Sequence, residues 1–311
     1  MKPQLITKTY TFWGYFGATY FLILVGFILA VTNEALWPLL ALIVLLAIVY
    51  YVLRIVRNNQ FMNERQEKLL AYTSQNHLEY DPMRTPSVND LGAVDDIENA
   101  RNKRIQNKVE ASEWTYCDFA YDLYNRTKYG EYKAATVHYG VMYTTLPRKL
   151  PNVFFDSIRA RRRQFRFHFA RNQRHSLEGD FDKHFVTYFP PDYTIDSMSF
   201  ISPEVMWAMR EASDYDIEIV GDRLYLYGPL YEPSEQLPEM SAKLANIKKH
   251  LIDNITTYRD ERLPFEAGRK IVAPMGAALQ RSRFWTIVSA TILTVYILLY
   301  VLDIIFDVFR Q

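Results

Sequence analysis

Two long uncharged runs open the chain, and they constrain it more than anything downstream. Thr9–Asn33 supplies 25 residues between Lys8 and Glu34, and Ala35–Leu53 supplies 19 between Glu34 and Arg54. At a rise of about 1.5 Å per residue, 19 helical residues cover roughly 28 Å, close to the hydrocarbon thickness of a bilayer. Only Val31–Ala35 joins the runs. The pattern predicts a helical hairpin that crosses a membrane twice within residues 1–57, with spans at about 12–33 and 35–53. It is not a signal peptide, whose apolar core is about 7–15 residues and ends at a small-residue cleavage site.

A third uncharged run, Phe284–Leu302, again has 19 residues, and predicts one C-terminal transmembrane helix within 284–311. The flanking charges orient all three. Lys2 and Lys8 precede the first run, Arg54 and Arg57 follow the second, and Arg269, Lys270, Arg281 and Arg283 precede the third. The opposite ends carry Glu34, Asp303 and Asp307, with Arg310 the one basic exception. By the positive-inside rule, the N-terminus and the region 58–283 are cytoplasmic and the C-terminus is outside. The expected location is the plasma membrane, as a multi-pass protein. The runs hold no internal ionisable residue, which argues against a transporter or channel.

Between the second and third runs the pattern predicts an α+β domain, mixed and largely antiparallel. Phe61–His77 is rich in helix formers, with Leu69, Leu70 and Tyr72 as an apolar patch. Glu79–Asp96, with Pro82, Pro86 and Gly92, reads as a loop, so 58–110 is expected to be helix and linker. The main domain is placed at 111–232. Trp114–Tyr124 and Tyr132–Leu146 flank the polar turn Asn125–Gly130 and predict an antiparallel hairpin, which Pro147 and Pro151 interrupt before a short strand at Val153–Phe155. Ser202-Pro203-Glu204 has the cap, the proline and the acid of a helix start. Tyr215, Ile217 and Ile219 alternate with acids, and Gly221-Asp222 then predicts a turn before Leu224–Tyr227. In the last segment, 233–283, Leu237, Met240, Leu244, Ile247, Leu251, Ile255 and Tyr258 recur at helical spacing, with Pro238 expected in the first turn. That face packs either on the domain's own sheet or, through helix 238–260, on a second copy.

Three constellations carry candidate chemistry. Arg159, Arg161, Arg162, Arg163, Arg166, Arg171 and Arg174 put seven arginines into 16 residues, interleaved with Phe165, Phe167 and Phe169. Guanidinium forks suit phosphate, so anionic lipid headgroups or an acidic protein partner are the expected ligands. The alternative is pairing with acids of neighbouring strands. A net charge of +1 gives no general pull toward nucleic acid. Glu178, Asp180, Asp182 and His184 share one face if they lie on a strand, and carboxylates with an imidazole are hard-metal ligands. One face of a strand repeats only every 6.6 Å or so, too far for all four to reach one ion, so a solvated face is the simpler reading. Asp214, Asp216 and Glu218 are likewise expected to face solvent. No phosphate loop, nucleophile elbow or zinc-binding helix motif occurs. Cys117 is the sole cysteine, so no intrachain disulfide or thiolate zinc site can form.

Several stretches resemble a family of bacterial integral membrane proteins of unknown function. They are Leu177-Glu178-Gly179-Asp180-Phe181-Asp182-Lys183-His184-Phe185, Pro190-Pro191-Asp192-Tyr193, Ser202-Pro203-Glu204-Val205-Met206 and Tyr215-Asp216-Ile217-Glu218-Ile219, with similar matches at Ala71–Pro82 and Leu150–Ser157. The resemblance covers roughly 70–230. It implies a protein of the bacterial inner membrane with a mixed α/β domain, and brings no activity and no catalytic residue with it. The combined expectation is a membrane-anchored binding or scaffolding module without a cofactor. The alternative is a membrane-bound, metal-assisted hydrolase built around Asp180.

Overall fold

The computed structural model describes residues 8–10, 37–86, 91–92, 100–127, 130–160 and 169–280. The first span of the expected hairpin and the C-terminal span lie outside them, as do Arg161, Arg162, Arg163 and Arg166. The described chain is α+β, with one antiparallel sheet and one long apolar helix near the N-terminus.

That helix, α1, runs unbroken from Trp37 to Gln75, 39 residues or about 58 Å. The expected second span and the expected helix at Phe61–His77 are thus one rod. Nothing in Arg54–Gln60 breaks it, because the segment holds neither glycine nor proline. The N-terminal half is a bare apolar shaft, with Leu42, Leu45, Leu46 and Leu53 all exposed. It is the one helix among the described residues long and apolar enough to cross a membrane. The C-terminal half turns Leu69 into the core, with Tyr72 beside it.

Nine strands form the sheet: β1 (Lys8–Tyr10), β2 (Glu79–Asp81), β3 (Thr85–Pro86), β4 (Ala100–Glu110), β5 (Thr115–Thr127), β6 (Gly130–Ser157), β7 (Arg174–His175), β8 (Phe185–Tyr188) and β9 (Asp216–Gly228). β6 is the spine. One edge pairs with β5 and then β8, the other with β1 and then β9, all antiparallel. The prolines expected to interrupt it do not end it. Pro147 and Pro151 fall within the two register shifts of the β6–β9 ladder, at 145–150 and 150–153. A bulge is a place where a strand tolerates a residue with no N–H to donate. Gly221, at φ +57°, sits opposite this bulged stretch, so β9 passes through the expected turn as one strand. The expected linker at 79–96 contributes the edge strands β2 and β3, and β4 follows it.

The helices α2 (Thr194–Phe200), α3 (Pro203–Glu211) and α4 (Pro233–Ile255) follow, with two single turns, α5 (Phe265–Gly268) and α6 (Pro274–Ala277). Ser202 caps α3 as its sequence predicts, its Oγ accepting from the Val205 N–H at 3.4 Å. α4 begins at Pro233, so Pro238 lies inside the helix rather than in its first turn. Leu237, Met240, Leu244, Ile247, Leu251 and Ile255 are all buried against β6 and β9 residues such as Met142, Ile217 and Leu226. This stripe packs on the chain's own sheet, the first of the two packings that its spacing allowed. The other sheet face is aromatic, with Phe119, Tyr121, Tyr139, Phe154, Tyr188, Tyr225 and Tyr227 in a second core. The sheet is therefore covered on both sides.

Candidate functional site

Covering both faces changes the fate of the predicted acids. Asp216 and Glu218 stand on the aromatic face and are 1% exposed each, not solvated. Asp216 accepts the Ser157 N–H at 2.8 Å, and Glu218 accepts the Tyr227 hydroxyl at 2.6 Å. The Leu91 carbonyl stands 3.0 Å from the same hydroxyl. Gly92 beside it has φ +68° and no room for a Cβ against Glu218 and Tyr227. Alternation reveals a period of two but not whether the second face is covered.

The stretch Glu178–His184 is not a strand. Gly179 takes φ +72°, and Phe181–Lys183 forms a 3₁₀ turn whose Phe181 plugs the core against Phe155 and Phe185. Asp180 pairs with Arg210 at 3.0 Å, and Asp182 accepts from Ser176 and from the Leu177 N–H. The shared ligand face on which the hydrolase alternative rested does not form, and no cluster of three metal-ligating side chains occurs among the described residues.

Of the arginine segment, the structure places three members. Arg159 reaches Asp214 at 3.5 Å across a solvated edge. Arg171 and Arg174 are exposed and flank the buried Gln173. Gln173 fixes where they sit: its amide donates to the Gln280 carbonyl and its carbonyl oxygen accepts the Gln280 N–H, both at 2.8 Å. The Ala170 N–H adds a bond to Gln280 at 3.0 Å. Arg171 and Arg174 are thus pinned beside residue 280, four residues before the uncharged run at Phe284, or about 14 Å of fully extended chain.

The most constrained polar site was not foreseen from the sequence. On the helix-side face of β5 and β6, Asp118 lies opposite Gly140, Ala120 opposite His138, and Asp122 opposite Thr136. Arg65 of α1, 1% exposed, enters this strip. Its Nε and Nη2 form a fork on the Asp118 carboxylate at 3.1 and 2.9 Å, Nη2 also meets the Tyr116 hydroxyl at 2.6 Å, and Nη1 donates to the Tyr231 carbonyl. Asn107 donates to Asp118 at 2.9 Å and accepts from Tyr80 at 2.9 Å. A Cβ on Gly140 would stand 2.5 Å from Gln236 Nε2 and 2.7 Å from the Tyr116 hydroxyl, so only glycine admits the cluster. A fork of this kind aligns as well as attracts, and here it fixes the angle at which α1 meets the sheet.

At the far end of the strip, Asp122 takes contacts from Lys133 at 2.7 Å, Thr136 at 2.9 Å, Asn102 at 3.1 Å and Arg104 at 3.2 Å. Burial pushes the Asp122 carboxyl up, but these donors and the Arg104 charge outweigh it and hold it at about 2. His138, between the two aspartates, is pushed down to about 4, chiefly by burial and then by Arg104. The strip is therefore locked in one charge state near neutrality, which suits a mechanical joint better than proton transfer. The available signal was a charged residue on the buried stripe of a helix, Arg65 with Leu69 and Thr73 at steps of four.

A third knot ties the C-terminal turns to α2. Asp260, fully buried, accepts from the Tyr193 hydroxyl at 2.6 Å, the Ala273 N–H at 2.9 Å and the Arg262 N–H at 3.0 Å. The Arg262 guanidinium stacks 3.9 Å over the Tyr193 ring and bonds Asp196.

No family model matches the chain, and neither does any curated protein. Among solved structures, the crystal structure of the mycobacterial trehalose monomycolate transport factor A, TtfA, is similar at 8% identity and a TM-score of 0.40, over 60% of this chain and 93% of that one. A likeness at that level carries no argument about this chain.

Proposed function

We propose that the chain is a membrane-tethered binding or scaffolding module, held at a fixed angle to the bilayer by α1. The observation that carries this is the continuity of α1: one helix begins as an exposed apolar shaft and ends locked to Asp118 through Arg65. A flexible anchor needs no buried guanidinium where it meets its cargo. In this reading the protein is multi-pass and sits in the bacterial inner membrane, with its N-terminus and domain cytoplasmic. The position of β1 supports the hairpin. Lys8–Tyr10, at the head of the first apolar run, pair with Ala135–Val137 of the domain. The 26 residues between Tyr10 and Trp37 suffice, at about 1.5 Å each, to return along the shaft of α1. The ligand on this reading is anionic lipid, met by Arg171 and Arg174 beside Gln280, where each basic residue contributes about 1 kcal/mol near the surface.

The test uses the full chain, extracted together with its surrounding lipid in polymer-bounded discs. Arg171→Ala with Arg174→Ala should lower the anionic share of the retained lipid while leaving the melting temperature unchanged. Reporter fusions after Arg57 and after Gln311 should report opposite sides, the first cytoplasmic. An outside signal after Arg57 would end this reading. An unchanged lipid composition would favour an acidic protein partner for the arginines.

A further inference from the structure

The Tyr193–Asp260–Arg262 knot does more than bury a carboxylate. It fixes α2, α5 and α6 side by side, and their outward surface carries apolar side chains that a water-facing surface does not need. Ile195 is 85% exposed, Met275 59%, Phe265 56%, Ile271 47% and Met198 42%. Ile195 and Met198 point away from the face of α2 that buries Ser197 and Phe200. Gly276 of α6 closes against Tyr193, where a Cβ would meet the ring at 2.6 Å, and this brings Met275 to the same end. Arginines border the patch: Arg259 and Arg269 lie 5.2 and 5.7 Å over the Phe265 ring. Large apolar side chains rimmed by Arg and Lys are what an interfacial membrane surface presents.

We infer that the surface bearing Ile195, Met198, Phe265, Ile271 and Met275 docks into the lipid headgroup layer and lays the domain flat against the bilayer. This rests on the membrane-tethered reading above. One observation selects lipid as the occupant. The chain leaves the described structure at Gln280, five residues past Met275, and enters the 19-residue uncharged run four residues later. The charges bordering the patch are mixed, with Arg259, Arg269 and Lys270 beside Glu261, Glu266 and Asp196, so the apolar side chains rather than net charge carry the contact.

Cys117 is buried and is the sole native cysteine, so single cysteines introduced at the surface can be spin-labelled selectively. Full-length protein carrying Ile195→Cys, Met198→Cys or Met275→Cys would be labelled in nanodiscs of phosphatidylcholine with phosphatidylglycerol. Collision with oxygen, which concentrates in lipid, is then compared with collision with a water-soluble nickel chelate. Leu45→Cys on the shaft of α1 is the lipid reference, and Lys249→Cys on α4 the water reference. The expected result is an oxygen-to-nickel ratio at 195, 198 and 275 several-fold above that at 249. If Leu45 reads as lipid while the three sites match 249, the docked surface is wrong and the tether stands. Protection of the three sites from both reagents would mean a protein occupant and would equally overturn it. If Leu45 itself reads as water, the tether reading falls and this inference falls with it.

Discussion

Removing the Arg65 guanidinium would leave the Asp118 carboxylate buried without its partner, while Tyr116 and Asn107 still point at it. Breaking a buried pair from one side typically costs about 3–5 kcal/mol, whereas replacing both partners with apolar side chains costs far less. Arg65→Ala should therefore lower the melting temperature of the detergent-solubilised protein strongly, and Arg65→Met with Asp118→Leu should recover much of the loss. His138 gives a second expectation, with its sign set by burial. Its folded pKa of about 4 lies below the ordinary 6.5, so the unfolded chain takes up the proton first. Stability is unaffected by this group above pH 6.5, falls as the pH drops from 6.5 to about 4, and loses nothing further below that. The full penalty is on the order of 3 kcal/mol. Asp122 acts in a lower window: its contribution is present above 3.8 and is lost as the pH falls through about 2. His138→Gln should flatten melting temperature against pH between 6.5 and 4 and leave the Asp122 loss below 3.8 in place. None of these roles was legible in the sequence. The partners of Arg65 lie 51, 53 and 166 residues away, and nothing local marks a residue whose meaning is set by such pairings.

At the scale of elements, the periodic segments were legible and the bent ones were not. The α4 stripe and the α3 cap follow directly from spacing and capping chemistry. β6 and β9 do not, because Pro147, Pro151 and Gly221-Asp222 have the composition of chain turns and only the facing strand converts them into bulges. The same limit hid β2 and β3, whose pairing with β4 holds a proline-rich edge that has no strand pattern of its own. Gly140 is the sharpest element-scale test. Gly140→Ala places a methyl between Gln236 and the Tyr116 hydroxyl, so β6 and α4 must part or the Arg65 cluster must shift. The expected outcome is faster limited proteolysis near the α1–β2 connection, with the melting temperature lowered by less than in Arg65→Ala. Unchanged cleavage would show that the cluster does not hold α1 to the sheet.

For the whole molecule, the two connections to the bilayer in the proposed tethered arrangement differ in kind. α1 is a rod locked by a buried ion pair, and the C-terminal approach is a hydrogen-bonded strap from Gln280 to Gln173. The strap should set how far Arg171 and Arg174 stand from the headgroups. Gln173→Ala removes both side-chain bonds to Gln280, and should weaken retention of anionic lipid without touching any arginine. Salt separates the two attachments further: charge-driven lipid contact is screened within about 8 Å at physiological ionic strength, while the buried Arg65 pair is not. Retained anionic lipid should therefore fall with rising salt while the melting temperature holds.

The pairing of β6 also sets an order of events in time. Its neighbours are drawn from residues 8–10 at one extreme and from 216–228 at the other. Contacts that distant in sequence form late, because the intervening loop must close first. While the chain is being synthesised, the spine strand must wait with one edge open until residue 228 has emerged. By then the apolar runs before residue 54 have long been available to the membrane. In the proposed tethered arrangement, anchoring thus precedes completion of the sheet, and the open edge of β6 passes its most aggregation-prone interval already confined beside the bilayer.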